Sequence, residues 1–319
     1  MSLCASPVPP VVDLALDAVK ARDKTLAASI LYPDSVPELP EVETIARGLD
    51  TRVAGDTVES VWIGSRQQPL KSPATIIAAT LEGKRIVRVH RAGKHIVFDL
   101  EETAHPKKGR RAVRSKPPQA AQWIVHLGMT GRLIVCEPAA EVAKHTHLIA
   151  KLASGRELRF IDPRMFGKLS VHLHPGGFDP GGVEPLEVTE ERFVALFRGR
   201  KTPIKSALLN QKLLRGVGNI YADESLFRAG IRPRRRAAAI TREQLSKLHR
   251  AVREVLREAI ALGGSSISDY VDADGEEGFF QLQHRVYGRE GEPCLVCATA
   301  IRRVVLAGRS SHYCAKCQK

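Results

Sequence analysis

The sequence contains no run of about 18 apolar residues, which excludes a helical membrane span. It has no basic segment ahead of its first apolar stretch, and Asp13 and Asp17 interrupt that stretch. A secretory signal is therefore excluded, and a cytoplasmic protein is expected. Acidic residues are in short supply: 35 Asp and Glu stand against 49 Lys and Arg, a formal net charge of +14. Such a field attracts polyanions, nucleic acid before an anionic membrane surface. Cysteine is nearly absent ahead of Cys294, where only Cys4 and Cys136 occur, so no disulfide framework is expected.

What is present points to a folded protein of 319 residues with 43% apolar content, enough for two domains with real cores. Residues 1–35 differ from the rest and carry one weakly helical stretch between proline-containing ends. From Val36 the pattern sharpens. Pro40 suits the first turn of a helix, and Val42, Ile45, Ala46 and Leu49 give it one apolar face. Short β-branched or apolar segments follow at Val58–Ile63, Arg85–Val89, His95–Leu100, Trp123–Leu127, Gly131–Val135, His147–Leu152 and Arg156–Ile161. They predict an antiparallel β-sandwich. His105–Pro118 carries six Lys or Arg and no acid, which predicts a solvated loop. The Gly/Pro-rich Asp179–Pro185 predicts a hinge or linker, after which the periodicity turns helical. Thr189–Phe197, Ile204–Leu209 and Asn219–Ala229 are helix candidates. Thr241–Leu262 is the clearest, with a capping box at Thr241 and Gln244 and a stop at Gly263.

Cys294, Cys297, Cys314 and Cys317 form two CxxC knuckles separated by 16 residues. Four thiolates at this spacing can surround one Zn²⁺ tetrahedrally with no position left for water, so the ion is expected to be structural. Ile301–Val305 and Ser311–Tyr313 between the knuckles predict a hairpin. Gly216-Val-Gly-Asn219 ahead of a helix offers backbone N–H groups suited to a phosphate, with Asn219 as a cap.

Pro37-Glu38-Leu39-Pro40-Glu41-Val42-Glu43-Thr44 resembles the N-terminus of the formamidopyrimidine-DNA glycosylase family, bacterial repair enzymes for oxidised purines. The resemblance recurs at His126–Gly131, Asp162–Gly167, Gly216–Ala222 and Val286–Cys294, and runs from Val36 to Lys319. It implies an α+β protein: a catalytic β-sandwich with an N-terminal helix over 36–183, a helix-two-turn-helix domain over 187–283, and a zinc hairpin over 284–319. It implies base excision of 8-oxoguanine and formamidopyrimidines from double-stranded DNA, followed by β,δ-elimination at the abasic site, by a monomer needing no protein partner.

Residue by residue, the resemblance makes Pro37 the amine nucleophile, which can split one hard step into easier ones through an iminium ion. Glu38 becomes the acid/base carboxylate, Lys94 the β-elimination lysine, and Arg309 the phosphate clamp that assists δ-elimination. Met129 and Phe166 become the wedge left in the duplex when the lesion flips out, with Arg164 on the orphaned cytosine. His145, Arg200, Lys205 and Asn219 become phosphate contacts. Gly263–Phe280, with Ser265, Ser266 and Tyr270, becomes a loop closing over the flipped base.

One departure stands out: Pro37 follows 36 residues, and a proline nitrogen inside a peptide bond cannot form an iminium. The functional chain is therefore expected to begin at Val36, as a GTG start decoded as Met and then trimmed to Pro37. Two alternatives remain: an oxidised-pyrimidine glycosylase of the same superfamily, and a noncatalytic zinc DNA-binding protein in which Pro37 stays blocked.

Overall fold

The computed structural model describes residues 36–103, 121–174, 176–265 and 278–319. The N-terminal stretch, the basic segment and most of the expected lesion loop, Ser266 and Tyr270 included, lie outside these residues. The chain opens with helix α1 (Leu39–Val53), which carries a proline in its first turn, Glu41 at its positive end and Arg52 at its negative end. Strand β1 (Val58–Ile63) and helix α2 (Ala74–Leu81) follow. Next come β2 (Lys84–Ala92), β3 (His95–Glu102), β4 (Ala121–His126), β5 (Arg132–Cys136), β6 (Thr146–Leu152), β7 (Glu157–Ile161) and β8 (Lys168–His172).

These strands make two four-stranded sheets, in the orders β2-β3-β4-β8 and β1-β6-β7-β5, with antiparallel neighbours throughout. The expected sandwich is therefore present. Its core includes Phe98, Trp123, Leu148 and Phe160, closed by Val42, Ile45, Leu49 and Val53 of α1. Each such side chain adds roughly 1.5–3 kcal/mol by burial. Sequence periodicity did not mark α2 or β8. The α2 segment, Ala-Thr-Ile-Ile-Ala-Ala-Thr-Leu, is apolar all round and lacks a polar stripe to reveal its period. Strand β8 is five residues on a sheet edge, directly after the Asp162–Gly167 loop.

The second half is helical: α3 (Glu190–Phe197), α4 (Ile204–Leu208), α5 (Asn219–Ala229) and α6 (Arg242–Ala261). The Thr241/Gln244 capping box forms, and Gly263 stands in the left-handed region at φ 74° just past the end. Strands β9 (Ile301–Leu306) and β10 (Arg309–Cys314) pair as the expected hairpin. Leu39 belongs to the helical core while the rest of α1 serves the sandwich core. That split fixes Glu38 on the seam between the two.

The Asp179–Pro185 segment is pinned rather than hinge-like. Glu184 accepts two bonds from Arg91 of β2 (2.6 and 3.1 Å) and one from Arg215 (3.0 Å), and Arg91 also holds Glu43 of α1 (2.7 Å). Only 6% of the Arg91 side chain is exposed, so this network is desolvated and intolerant of losing one partner. It also fixes the β2–β3 turn: Arg91 donates to the Gly93 carbonyl, next to Lys94 (3.2 Å).

Candidate active site and DNA-binding face

Glu38 is 4% exposed. Its backbone N–H donates to Glu41 Oε2 (2.8 Å), and its Oε1 accepts from the Ile220 N–H in the first turn of α5 (3.1 Å). The positive end of α5 therefore receives a protein carboxylate, where the sequence suggested a phosphate. This explains the glycines: a Cβ on Gly218 would lie 2.2 Å from Glu38 Cδ, and one on Gly216 would lie 2.8 Å from Leu39. Asn219 does not cap the helix; Gly218 does. The Asn219 side chain instead donates to Ser310 Oγ (3.1 Å), tying α5 to β10, while its Oδ1 is buried without a partner.

Burial pushes the Glu38 carboxyl up to about 7, and Glu41 adds to the rise while Lys94 opposes it. Glu38 Oε2 is buried and makes no hydrogen bond. Lys94 is held below its ordinary value by burial and by Arg309, against the pull of Glu38 and Glu41. Glu38, Lys94 and Arg309 thus share one electrostatic site, with half-buried Pro37 adjoining Glu38 in the chain.

Sequence reasoning missed the residue that organises this site. Glu41 is buried and accepts from the Glu38 N–H, the Ser265 N–H (2.8 Å) and the Tyr221 hydroxyl. It joins the seam at Glu38 to Ser265, beyond the end of α6. Its position three residues after Glu38, in the first turn of α1, is that of a capping-box acid, and this spacing was the available signal.

Three expected wedge residues come together on two adjoining turns. Asp162 accepts from Thr130 Oγ1 (2.6 Å) and from the Gly167 N–H (2.7 Å), and Thr130 Oγ1 also accepts from the Arg164 N–H (3.3 Å). Gly128, at φ 68°, packs so closely on Phe166 and Gly167 that a Cβ there would come within 2.5 Å of backbone. Phe166 is 52% exposed, with the Arg164 guanidinium 5.1 Å from its ring centroid. Half-buried Met129 sits on the first turn, and exposed His145 adjoins through its carbonyl, which accepts from the Asp162 N–H (2.9 Å).

Arg200 is exposed between α3 and α4. Lys205 is not on the surface as a phosphate contact would require. It is fully buried, 2.7 Å from Asp223 Oδ1, and donates to the Ser310 carbonyl (2.5 Å). Asp223 Oδ2 in turn accepts from the His312 N–H (2.8 Å). Lys205 and Asp223 therefore anchor the strand that begins at Arg309.

The four thiolates of Cys294, Cys297, Cys314 and Cys317 lie within 4.8 Å of one another. Tetrahedral Zn–S bonds of about 2.3 Å call for sulfur separations of about 3.8 Å. Cys294–Cys317 at 3.9 Å and Cys297–Cys314 at 3.4 Å fit that set. The knuckle is a site for one structural Zn²⁺.

A sandwich and a helical domain thus meet on a buried carboxyl, and the zinc hairpin carries Arg309 within electrostatic reach of Lys94 beside it. Family models match along the chain: the formamidopyrimidine-DNA glycosylase N-terminal domain at residues 36–169, its H2TH domain at 182–271, and the zinc finger found in FPG and IleRS at 291–319. The chain belongs to the formamidopyrimidine-DNA glycosylase family. It is 45% identical over 285 residues to the formamidopyrimidine-DNA glycosylase of Solibacter usitatus, covering 89% of this chain and 100% of that protein. Among solved structures, it resembles the MutM (Fpg) protein of Thermus thermophilus, with 40% identity and a TM-score of 0.73 over 88% of this chain and 98% of that one. It also resembles Lactococcus lactis Fpg in complex with DNA containing Fapy-dG, with 31% identity and a TM-score of 0.76 over 88% and 100%.

Proposed function

We propose that this glycosylase excises oxidised purines, 8-oxoguanine and formamidopyrimidines, from duplex DNA and then cleaves the abasic site by β,δ-elimination. The observation that carries the reading is Glu38: a buried carboxyl pushed up to about 7, with one oxygen unpaired, adjoining Pro37 and facing Lys94. A group balanced near neutrality can both give and take a proton. The Pro37 amine attacks C1′ of the flipped nucleotide, and the C1′–N bond breaks with its electron pair leaving on the base. Glu38 protonates the opening sugar oxygen. The resulting iminium acidifies C2′–H; loss of that proton expels the 3′ phosphate, and a second elimination expels the 5′ phosphate. Lys94 and Arg309 hold the departing phosphates. Met129 and Phe166 fill the vacated stack, and Arg164 meets the orphaned base. His145, Arg200 and Asn219 bear on the flanking backbone, and Lys205 serves by holding Ser310 beside Arg309.

This chemistry requires a free secondary amine on Pro37. The formamidopyrimidine-DNA glycosylase N-terminal model matches from residue 36, one residue ahead of Pro37. The enzyme works in this reading as a cytoplasmic monomer on chromosomal DNA. Borohydride trapping on duplexes carrying 8-oxoguanine or thymine glycol, with mass spectrometry of the N-terminus, tests it. A covalent adduct on Pro37 with the 8-oxoguanine duplex is expected. An adduct on a chain with an intact leader would remove Pro37 as nucleophile, and preference for thymine glycol would remove the purine assignment.

A further inference from the structure

Beyond the contacts beside the lesion, the helical domain carries a basic patch to which the proposed mechanism gives no role. The α3–α4 connection and the α5–α6 connection run side by side: Pro203 pairs with Arg236 in an antiparallel bridge. The Ile204 N–H donates to the Arg235 carbonyl (2.7 Å), the Ala237 N–H to the Thr202 carbonyl (3.0 Å), and the Ala238 N–H to the Arg200 carbonyl (2.7 Å). Residues 195–206 and 230–242 contain no Asp or Glu.

The arginines here divide into two groups. Arg232 and Arg235 are used internally, on the carbonyls of Gln318 and Ala315 and of Lys319 and Ala239. Arg198, Lys201, Arg234 and Arg236 are exposed, and their side chains have no hydrogen-bond or ion-pair partner among the described residues. On the sandwich, by contrast, Arg47 sits on Glu43 and Arg85 on Glu101. Four uncompensated cations on two bonded connections repel one another, a standing cost that a polyanion relieves.

The patch is also continuous with the catalytic seam. The Lys205 N–H donates to the Pro233 carbonyl (3.4 Å), one residue before Arg234, and the same lysine holds Ser310 and feels the charges of Glu38 and Arg309.

We propose that Arg198, Lys201, Arg234 and Arg236 grip the phosphate backbone of duplex DNA beyond the lesion-flanking contacts, lengthening the footprint on the Arg309 side. This rests on the DNA-binding reading above. The test measures Kd against salt for wild type and for an Arg234→Ala/Arg236→Ala variant. It uses a lesion duplex of about 30 base pairs and duplexes shortened from either end. Each lost phosphate contact lowers the log–log slope by about 0.9. On the long duplex the variant should lose nearly two slope units, so that its affinity falls about tenfold less steeply over a fourfold rise in salt. The difference should vanish when one end is removed and persist when the other is. Arg234→Lys/Arg236→Lys should keep the wild-type slope, and zinc content and melting temperature control for folding. Equal slopes for wild type and the alanine variant on the long duplex would overturn the proposal, as would a lysine variant that behaves like alanine. Failure of wild type to bind lesion DNA at all would instead strike the underlying reading.

Discussion

Two buried glutamates use the same helix in opposite ways. Glu224, on α5, spends its carboxylate on the backbone N–H groups of Arg285, Val286 and Tyr287, at 2.9–3.1 Å, and so roots the chain that leads into the zinc knuckle. Glu38, from α1, touches the N-terminus of α5 through one oxygen and leaves the other without a partner. Burial raises both carboxyls above the usual range. A shifted pKa therefore does not separate structure from chemistry; hydrogen-bond satisfaction does. A carboxylate whose bonds are complete has nothing left to offer a substrate, whereas an orphaned buried oxygen is a cost that persists where a ligand completes it.

Replacing Glu38 gives the sharpest test of that contrast. Glu38→Gln keeps the shape and the bond from Ile220 but removes the proton. Single-turnover excision should fall by about 10²–10⁴-fold, with zinc content unchanged. The same variant should change how stability responds to pH. The Glu38 carboxyl stands at about 7 folded and 4.5 in its ordinary state. Its contribution to stability is fully present below 4.5 and is lost as pH rises through 7, up to about 3 kcal/mol. Urea unfolding between those pH values should therefore show wild type losing stability relative to Glu38→Gln. Parallel curves would mean that Glu38 is ionised in the folded protein.

Glu224→Ala should do the reverse. Three N–H groups lose their acceptor, two of them buried at about 1–3 kcal/mol each, so stability should fall by about 2 kcal/mol or more and zinc should yield more readily to a chelator. The excision rate per folded molecule should stay near wild type. A variant that is stable but slow would place Glu224 with Glu38 and collapse the distinction.

How far the sequence revealed this contrast depends on how local each signal is. Helix α1, with its proline, acidic first turn and apolar face, is written within one segment, as are the α6 capping box and the cysteine knuckles. The resemblance picked out Glu38 and Arg309, but not what holds them. The bonds of Glu41 to Tyr221 and Ser265, and of Lys205 to Asp223 and Ser310, join residues far apart in the chain, and no periodicity encodes them. Lys205 shows the consequence: the resemblance makes it a phosphate contact, and the fold buries it against Asp223.

The smallest expected effect concerns selectivity rather than rate. Arg164 and Phe166 share a turn that Asp162 holds from both sides, so each can be removed without dismantling it. Arg164→Ala deletes a side chain that is exposed and stacked on Phe166 but leaves its backbone bond to Thr130. If Arg164 reads the base opposite the lesion, the loss should appear in the ratio of excision rates across C, A, G and T, by about 1–3 kcal/mol, the worth of one specific base contact. Phe166→Ala should instead weaken binding to every duplex alike, because an apolar wedge fills space without reading a base edge. Asp162→Asn should disturb both, since it frees both turns. Rates measured on four duplexes that differ only opposite the lesion separate these outcomes. An Arg164→Ala enzyme with wild-type ratios and uniformly weaker binding would make the arginine a partner of the wedge rather than a reader of the orphaned base.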